Sequence, residues 1–336
     1  MRVAILAHEQ FPDRAKTALG ILRYADYDVA AVLDRDREGG RVRDFVSDVQ
    51  DAPIVSSMAD VDDVDALLIG IAPIGGGFEE SWRDDVRTAL ERGCDLISGL
   101  HHFLAEDEEF ASLAAEHGCD IHDVRKPHGD LTVAEGVARE LDAEIILTVG
   151  TDCSVGKMTT TMELARDAQA AGHDAIVVPT GQTGIMIEGW GNPIDRVVSD
   201  FTAGAVEEML VETADDHDYL FVEGQGSIVH PAYSAVTCGI LHGSMPDKLV
   251  LCDSADRDVI HGYESVAQPS IETYVDLYEG LAAPVAETEI VCGALNTHGL
   301  PNDEAQSALE AFEADLGAPA TDVIRHGTDD LLEVLL

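Results

Sequence analysis

Apolar residues recur along this chain at two different periods, and the order in which the periods alternate predicts its architecture. Short, mostly apolar runs at 2–7 (RVAILA), 28–33 (DVAAVL), 66–72 and 95–98 have the length and branched side chains of buried strands. Between them, apolar positions at helical spacing predict helices at about 14–25 and 79–92, the second with an acidic first turn. Strand, helix and strand in succession imply a parallel sheet covered by helices, a small Rossmann-like domain. Pro, Gly and mixed charge at 121–132 (IHDVRKPHGDLT) mark a junction, so this domain is expected over 1–125 and a second over 126–336. The second half repeats the pattern, with strands at 143–149 (AEIILTV), 175–178, 219–222 and 289–295 and a shorter candidate strand at 196–200 (RVVSD).

Composition narrows the class. A hydrophobic content of 46% in 336 residues is enough for two cores and excludes a disordered chain. No apolar run reaches the roughly 18–20 residues that span a bilayer. The first strand is followed by Glu9 and Gln10 where a cleavage site would stand, so it reads as a strand and not a signal peptide. The charge is extreme: 65 acidic residues against 20 basic ones, a net −45, with the acids spread over the whole length. Only four of the basic residues are Lys (Lys16, Lys126, Lys157 and Lys248). Distributed carboxylates with little lysine suit a cytoplasmic protein of a salt-accumulating cell, where salt screens their repulsion. There is no basic stripe for nucleic acid. The six cysteines include no CxxC pair and read as reduced thiols, without a zinc site. The apolar content is compatible with a homo-oligomer.

The strongest chemical signal opens the second half. The strand at 143–149 runs into Gly150-Thr151-Asp152-Cys153-Ser154-Val155-Gly156-Lys157-Met158-Thr159, and a helix continues to about Ala171. Strand, glycine-bounded loop, Gly-Lys and helix form the layout of a phosphate cradle. Successive backbone N–H groups make an anion nest, the helix start adds its dipole, and Lys157 adds a full charge. The fold class expected is therefore α/β: a Rossmann-like parallel sheet followed by a P-loop-NTPase-like parallel sheet. One departure matters. The residue after the lysine is normally Ser or Thr, whose hydroxyl ligates Mg²⁺. Met158 offers a thioether, a poor ligand for a hard cation. If Mg²⁺ were held, Thr159, Asp200 and Glu223 are the candidates. No metal is otherwise indicated.

Other constellations are weaker. The GxGxxG fingerprint is missing after the first strand, where Ala7-His8-Glu9-Gln10-Phe11 stands, so no dinucleotide site is assigned there, and Asp34 is only a formal candidate for a ribose. The Pro73-Ile74-Gly75-Gly76-Gly77 turn reads as a tight βα turn with a possible phosphate contact. His101 and His102 are adjacent, so their side chains diverge and do not form a ligand pair. Glu223, at the end of strand 219–222, opens a Gly-rich loop with Gln225 and Gly226. Thr180, Gly181, Gln182, Thr183 and Gly184 follow strand 175–178 as a polar, open-backbone turn suited to a small polar acid.

The wording of the P-loop resembles the dethiobiotin-synthetase branch of P-loop proteins, in which an acid such as Glu223 or Asp200 and a base-recognising Asn, here Asn296, complete an ATP site. A narrower resemblance covers nearly the whole chain: SGLHHFL (98–104), DVRKP (123–127), GTDCSVGKMTT (150–160), TGQTG (180–184), VEGQGSIVHPAYS (222–234), LHGSMPD (241–247) and LNTHGL (295–300) in that order. Together these resemble a family, long of unknown function, that includes D-glutamate N-acetyltransferases. The resemblance implies a P-loop that holds acetyl-CoA and an enzyme that acetylates a small amino acid. Acetyl transfer requires a base for the amine and N–H donors for the thioester oxyanion. Glu223, His230 and His242 are the catalytic candidates, with Arg125, Lys126, Arg196 and Arg257 the cations available to an acidic substrate. Three classes stay open: the acetyltransferase, an ATP- and Mg²⁺-dependent ligase, and a non-catalytic nucleotide-binding regulator.

Overall fold

The computed structural model describes residues 1–73 and 75–336; Ile74, named in the Pro73–Gly77 reading, lies outside the described residues. The chain forms two compact units. One comprises residues 1–127 together with 182–193, the other 128–181 together with 194–336.

The first unit is built on β1 (Arg2–Leu6), α1 (Lys16–Tyr24), β2 (Asp28–Leu33), β3 (Ile54–Val55), β4 (Ala66–Ile69), α2 (Arg83–Glu91), β5 (Asp95–Ser98), α3 (Glu108–His117) and β6 (Ile121–Asp123). Its sheet is parallel in the order β3-β2-β1-β4-β5-β6. Sheets of this order place ligands where the strand order reverses, outside the ends of β1 and β4. Here Gly70, just past β4, has Ile5 and Ala18 packed so tightly against it that a Cβ would clash. Asp34 does not reach outward from β2. Its buried carboxylate accepts from the backbone N–H groups of Glu9, Phe11 and Asp36 and fixes the turn after β1. The glycine turn is likewise built inward, the Gly76 carbonyl accepting from the amides of His101 and His102.

The second unit starts with β7 (Glu144–Gly150), α4 (Lys157–Ala170) and β8 (Ala175–Val178). Next comes α5 (Gln182–Glu188), which packs in the first unit: Thr183 hydrogen-bonds Thr17 at 2.8 Å, and Met186 lies in that unit's core. The chain then returns through α6 (Thr202–Thr213), β9 (Tyr219–Val222), α7 (Ser234–Ser244), β10 (Lys248–Ser254), the hairpin β11 (Val259–Ile260) and β12 (Tyr263–Ala267), and α8 (Ile271–Ala282). It finishes with β13 (Glu289–Asn296), α9 (Asn302–Leu316), β14 (Ala320–Thr321) and α10 (Asp329–Leu335). The second sheet is parallel in the order β14-β13-β10-β7-β9-β8, so the P-loop strand is central. Fully apolar runs such as LVLC in β10 suit a strand covered on both faces.

Two expectations are corrected. Residues 196–200 form no strand; Ile194–Arg196 and Ser199–Phe201 are single 3₁₀ turns, because a two-residue apolar run with Val198 exposed has no sheet to join. The polar stretch at 180–184 is not wholly a turn, since Gln182 begins α5. Among the described residues, no helix is long and apolar enough to cross a membrane.

Candidate functional site

Parallel register brings the ends of five strands to one edge. Gly150 pairs with Cys252 of β10, Ser254 with Asn296 of β13, and Val222 lies between Leu147 and Val178. The residues that follow these ends, the P-loop, Glu223 and Thr180, therefore rise side by side with Asn296.

The loop from Gly150 to Gly156 turns into α4 through two left-handed positions, Ser154 (φ 56°) and Gly156 (φ 109°). Lys157 is buried and folds back over the loop, its Nζ donating to the Asp152 carbonyl at 2.7 Å. Gly150 leaves room for that stem; a Cβ there would meet Lys157 Nζ at 2.9 Å. Asn296 lies against the far end of the loop, 3.9 Å from where a Gly156 Cβ would stand, and its Oδ1 accepts from the His298 amide.

The opposite side of the loop is held by hydroxyls that the sequence reading missed. Tyr278 donates to the Gly150 carbonyl at 2.7 Å, and Tyr274 and Ser227 donate to the Thr151 carbonyl at 2.8 and 2.9 Å. All three side chains are buried, and burial pushes both phenol pKa values up, which keeps them neutral donors. In a planar peptide C=O and N–H point opposite ways: the Thr151 N–H behind the pinned Gly150 carbonyl donates to the Cys252 carbonyl at 3.0 Å, and the Asp152 N–H is turned away from Tyr274 and Ser227. At i and i+4 on α8 the tyrosines read as core aromatics, which gave no hint of the hydroxyls' role. Asp253 was also missed, although an acid closing the apolar run of β10 is the same signal that singled out Glu223. Burial raises its pKa, while Thr151 Oγ1 and the Gln268 amide donate to its Oδ1.

Glu223 is buried and fixed. Its Oε2 accepts from the amides of Thr180 and Gly181 at 3.2 and 3.1 Å. Gln225 reaches the same Thr180 through its side-chain amide, and Thr180 Oγ1 donates to the Glu223 carbonyl. The next residue, Gly224, lies against the loop: its amide donates to Thr148 Oγ1, and a Cβ would stand 3.5 Å from the Lys157 stem. Gly226 (φ 65°) turns the chain under Tyr233. Glu223, Thr180, Gly181, Gln225 and the Lys157 loop thus form one neighbourhood. Gln182, Thr183 and Gly184 belong to α5 in the first unit.

His230 is buried against the P-loop, its Nε2 3.9 Å from Asp152 Oδ1. Its Nδ1 accepts from the Ala232 amide, so the proton sits on Nε2 and is donated to the His261 carbonyl at 3.2 Å; the ring is neutral. Asp152 Oδ1 accepts from the Cys153 amide, and Oδ2 accepts from Arg257 at 3.0 Å and the His261 amide at 2.7 Å. Ligand atoms of Asp152, Cys153 and His230 lie within 4.8 Å of one another. This donor set does not suit a metal ion, because both ring nitrogens of His230 and both Asp152 oxygens already serve the backbone and Arg257. His242 stands apart, its Nε2 donating to the Leu281 carbonyl and tying α7 to α8. Asp200 is exposed in a 3₁₀ turn, and Thr159 is half-buried on α4. Of the suspected cations, Arg257 is committed to Asp152 and the Cys153 carbonyl, and Arg125 donates to the Gly99 carbonyl.

A parallel sheet whose central strand ends in a GxxxxxGK nest, following a Rossmann-like unit, defines a two-domain P-loop protein. The chain belongs to the DUF1611 family: residues 132–332 match its P-loop domain and 35–127 its Rossmann-like N-terminal domain, both described as domains of unknown function. It is similar to a protein of Tritonibacter scottomollicae named D-glutamate N-acetyltransferase, 40% identical over 270 residues and 80% of each chain. A protein of the same name from a Pseudoalteromonas species is 35% identical over 79% of this chain and 80% of that one. The crystal structure of a family member from Anabaena variabilis superposes with a TM-score of 0.94 at 38% identity, over 99% of this chain and 98% of that one.

Proposed function

We propose that this chain is an N-acetyltransferase that moves an acetyl group from acetyl-CoA to the amine of D-glutamate or a closely similar small amino acid. The observation that carries the reading is a single neighbourhood: a phosphate nest with a thioether, Met158, where a magnesium-ligating hydroxyl normally stands, beside a buried carboxylate, Glu223, held by two amides. Such a nest suits a ligand that is anchored by phosphates without reacting at them. Coenzyme A is of that kind, and the names of the two relatives point the same way.

In this reading Lys157 and the N–H groups where the loop enters α4 hold the coenzyme's phosphates, and Asn296 stands at the base end. Glu223 takes a proton from the acceptor's ammonium. The freed nitrogen attacks the acetyl carbonyl, a C–N bond forms, the C–S bond breaks, and the thiolate leaves to be protonated as the coenzyme's thiol. The oxyanion between these steps is met by N–H donors at the thioester end, apart from the groups that hold the phosphates. The test is a product assay in multimolar KCl, with acetyl-CoA and D-glutamate or L-glutamate, read by mass spectrometry. N-acetylglutamate that disappears with Lys157→Ala is expected. No acetylated product from a panel of amino acids, with ADP released from Mg-ATP instead, would replace this reading by the ligase.

A further inference from the structure

Beside the nest lies a group of aromatic and apolar side chains. In a chain of net −45, Tyr233 (45% exposed) and Tyr263 (37%) stand partly exposed on one side, and Val259 and Val266 of the same hairpin are exposed as well. Three of them belong to the β11–β12 hairpin, whose second strand is exposed along its whole length.

What fixes this hairpin is the P-loop itself. Asp152 reaches beneath the loop to Arg257 Nη1 and the His261 amide, Arg257 also holds the Cys153 carbonyl at 2.7 Å, and Gln268 bonds Asp253 at 3.1 Å. The hairpin is thereby tied to the loop directly through Arg257 and His261, and through Gln268 to Asp253, which accepts from Thr151 of the loop. Between those ties the Tyr263 ring stands edge-on to His230, with centroids 5.3 Å apart, and Tyr233 lies tilted on the same imidazole at 4.7 Å. His230 and Tyr233 close the loop that begins at Glu223, and His230 is the point at which that loop meets Asp152. The aromatic group therefore adjoins both the phosphate nest and the segment that carries the buried carboxylate.

We infer that Tyr263 and Tyr233, assembled on the neutral ring of His230, form a subsite for the uncharged arm of the ligand, the chain linking the coenzyme's phosphates to its thioester. The inference rests on the acetyl-CoA reading and adds the residues that select a thioester over a bare nucleotide. The chemistry matches on each side. The nest and Lys157 supply cationic and N–H groups for phosphate, and the tyrosines supply apolar faces with hydroxyl edges for an amide-containing chain. Because His230 is neutral and its nitrogens are engaged, it acts here as a positioning residue that sets the two rings.

The experiment compares two probes by calorimetry in multimolar KCl: coenzyme A, and adenosine 3′,5′-bisphosphate, which keeps the base and two of the three phosphates but lacks the outer phosphate and the arm. Loss of one aromatic contact is expected to raise the Kd for coenzyme A about tenfold in Tyr263→Ala while leaving that of the bisphosphate unchanged. Tyr263→Phe, which keeps the ring, should stay close to wild type. A Tyr263→Ala protein that binds coenzyme A as the wild type does, or that weakens both probes equally, would overturn the subsite and leave the acetyltransferase reading standing. A wild-type protein that binds neither probe would overturn both.

Discussion

At the scale of single residues, the site is governed by which polar groups are aimed beneath the P-loop and which above it. Tyr274, Tyr278 and Ser227 hold the Gly150 and Thr151 carbonyls, and the Thr151 amide is held by the Cys252 carbonyl, so the backbone at the start of the loop is fixed before any ligand arrives. Asp253 belongs to the same lower layer, and it has a measurable consequence. Burial, the dominant cause, raises its folded pKa above the unfolded value, although Thr151 and Gln268 oppose the rise. The native state therefore keeps this proton to a higher pH than the unfolded chain does. Stability from this group is full below the unfolded carboxylate pKa and is lost as pH rises through the folded one. Asp253→Asn cannot ionise and keeps an oxygen for Thr151 and Gln268. Thermal unfolding followed from pH 3 to 8 should show the two proteins similar at the acid end and the variant higher at neutral pH. A variant less stable than the wild type at every pH would mean that the charged form is the one the fold favours.

At the scale of elements, close approach between strands decides more than propensity does. Gly224 sits where β9 meets β7, and a Cβ there would overlap the Thr148 carbonyl oxygen. Gly280, in α8, has open space around it. Gly224→Ala is expected to cost at least ~3 kcal/mol, since backbone has to move. Gly280→Ala should stabilise by about 0.5–1 kcal/mol through helix propensity. Denaturant midpoints check both, and a Gly224→Ala protein of normal stability would show that the β7–β9 contact is looser than this packing. The same distinction explains what the sequence disclosed. Strands 175–178 and 219–222 were legible to the residue because each is an apolar run whose burial on both faces is written into its own composition. The nest was legible because its chemistry is local, a glycine-bounded loop ahead of Lys157. What is held together over long separations was not. Helix α5 begins in a Gly- and Thr-rich stretch that reads as a turn, and it is stabilised by packing on α1, some 165 residues earlier. The tyrosine buttress and the Asp152–Arg257 clasp join residues more than 100 positions apart, and no periodicity records such pairs.

At the scale of the whole molecule, the field of the chain and the chemistry of its site are opposed. A nest for phosphates lies in a molecule carrying 65 acidic residues and 20 basic ones. Several of those basic groups are already paired on the surface: Arg83 with Asp107 and Glu109, Arg87 with Asp84 and Glu109, Arg41 with Asp51. Little positive charge is left to offset the field around the site, and a polyanionic ligand must enter against it. At about 0.1 M salt the screening length is ~10 Å, so carboxylates well outside the nest repel the ligand. At 1 M it is ~3 Å, and only the N–H groups, Lys157 and their immediate neighbours remain in play. Most phosphate sites lose affinity with salt because their long-range field is attractive. Here the sign is reversed, and the Kd for coenzyme A is expected to fall as KCl rises from 0.1 to 2 M, with the midpoint of thermal unfolding rising over the same range as self-repulsion is screened. Calorimetry and melting curves in KCl series measure the two effects separately. Affinity that weakens with salt, in a protein whose melting point still climbs, would mean that Lys157 and the loop dominate the field at the site while the acidic surface governs stability alone.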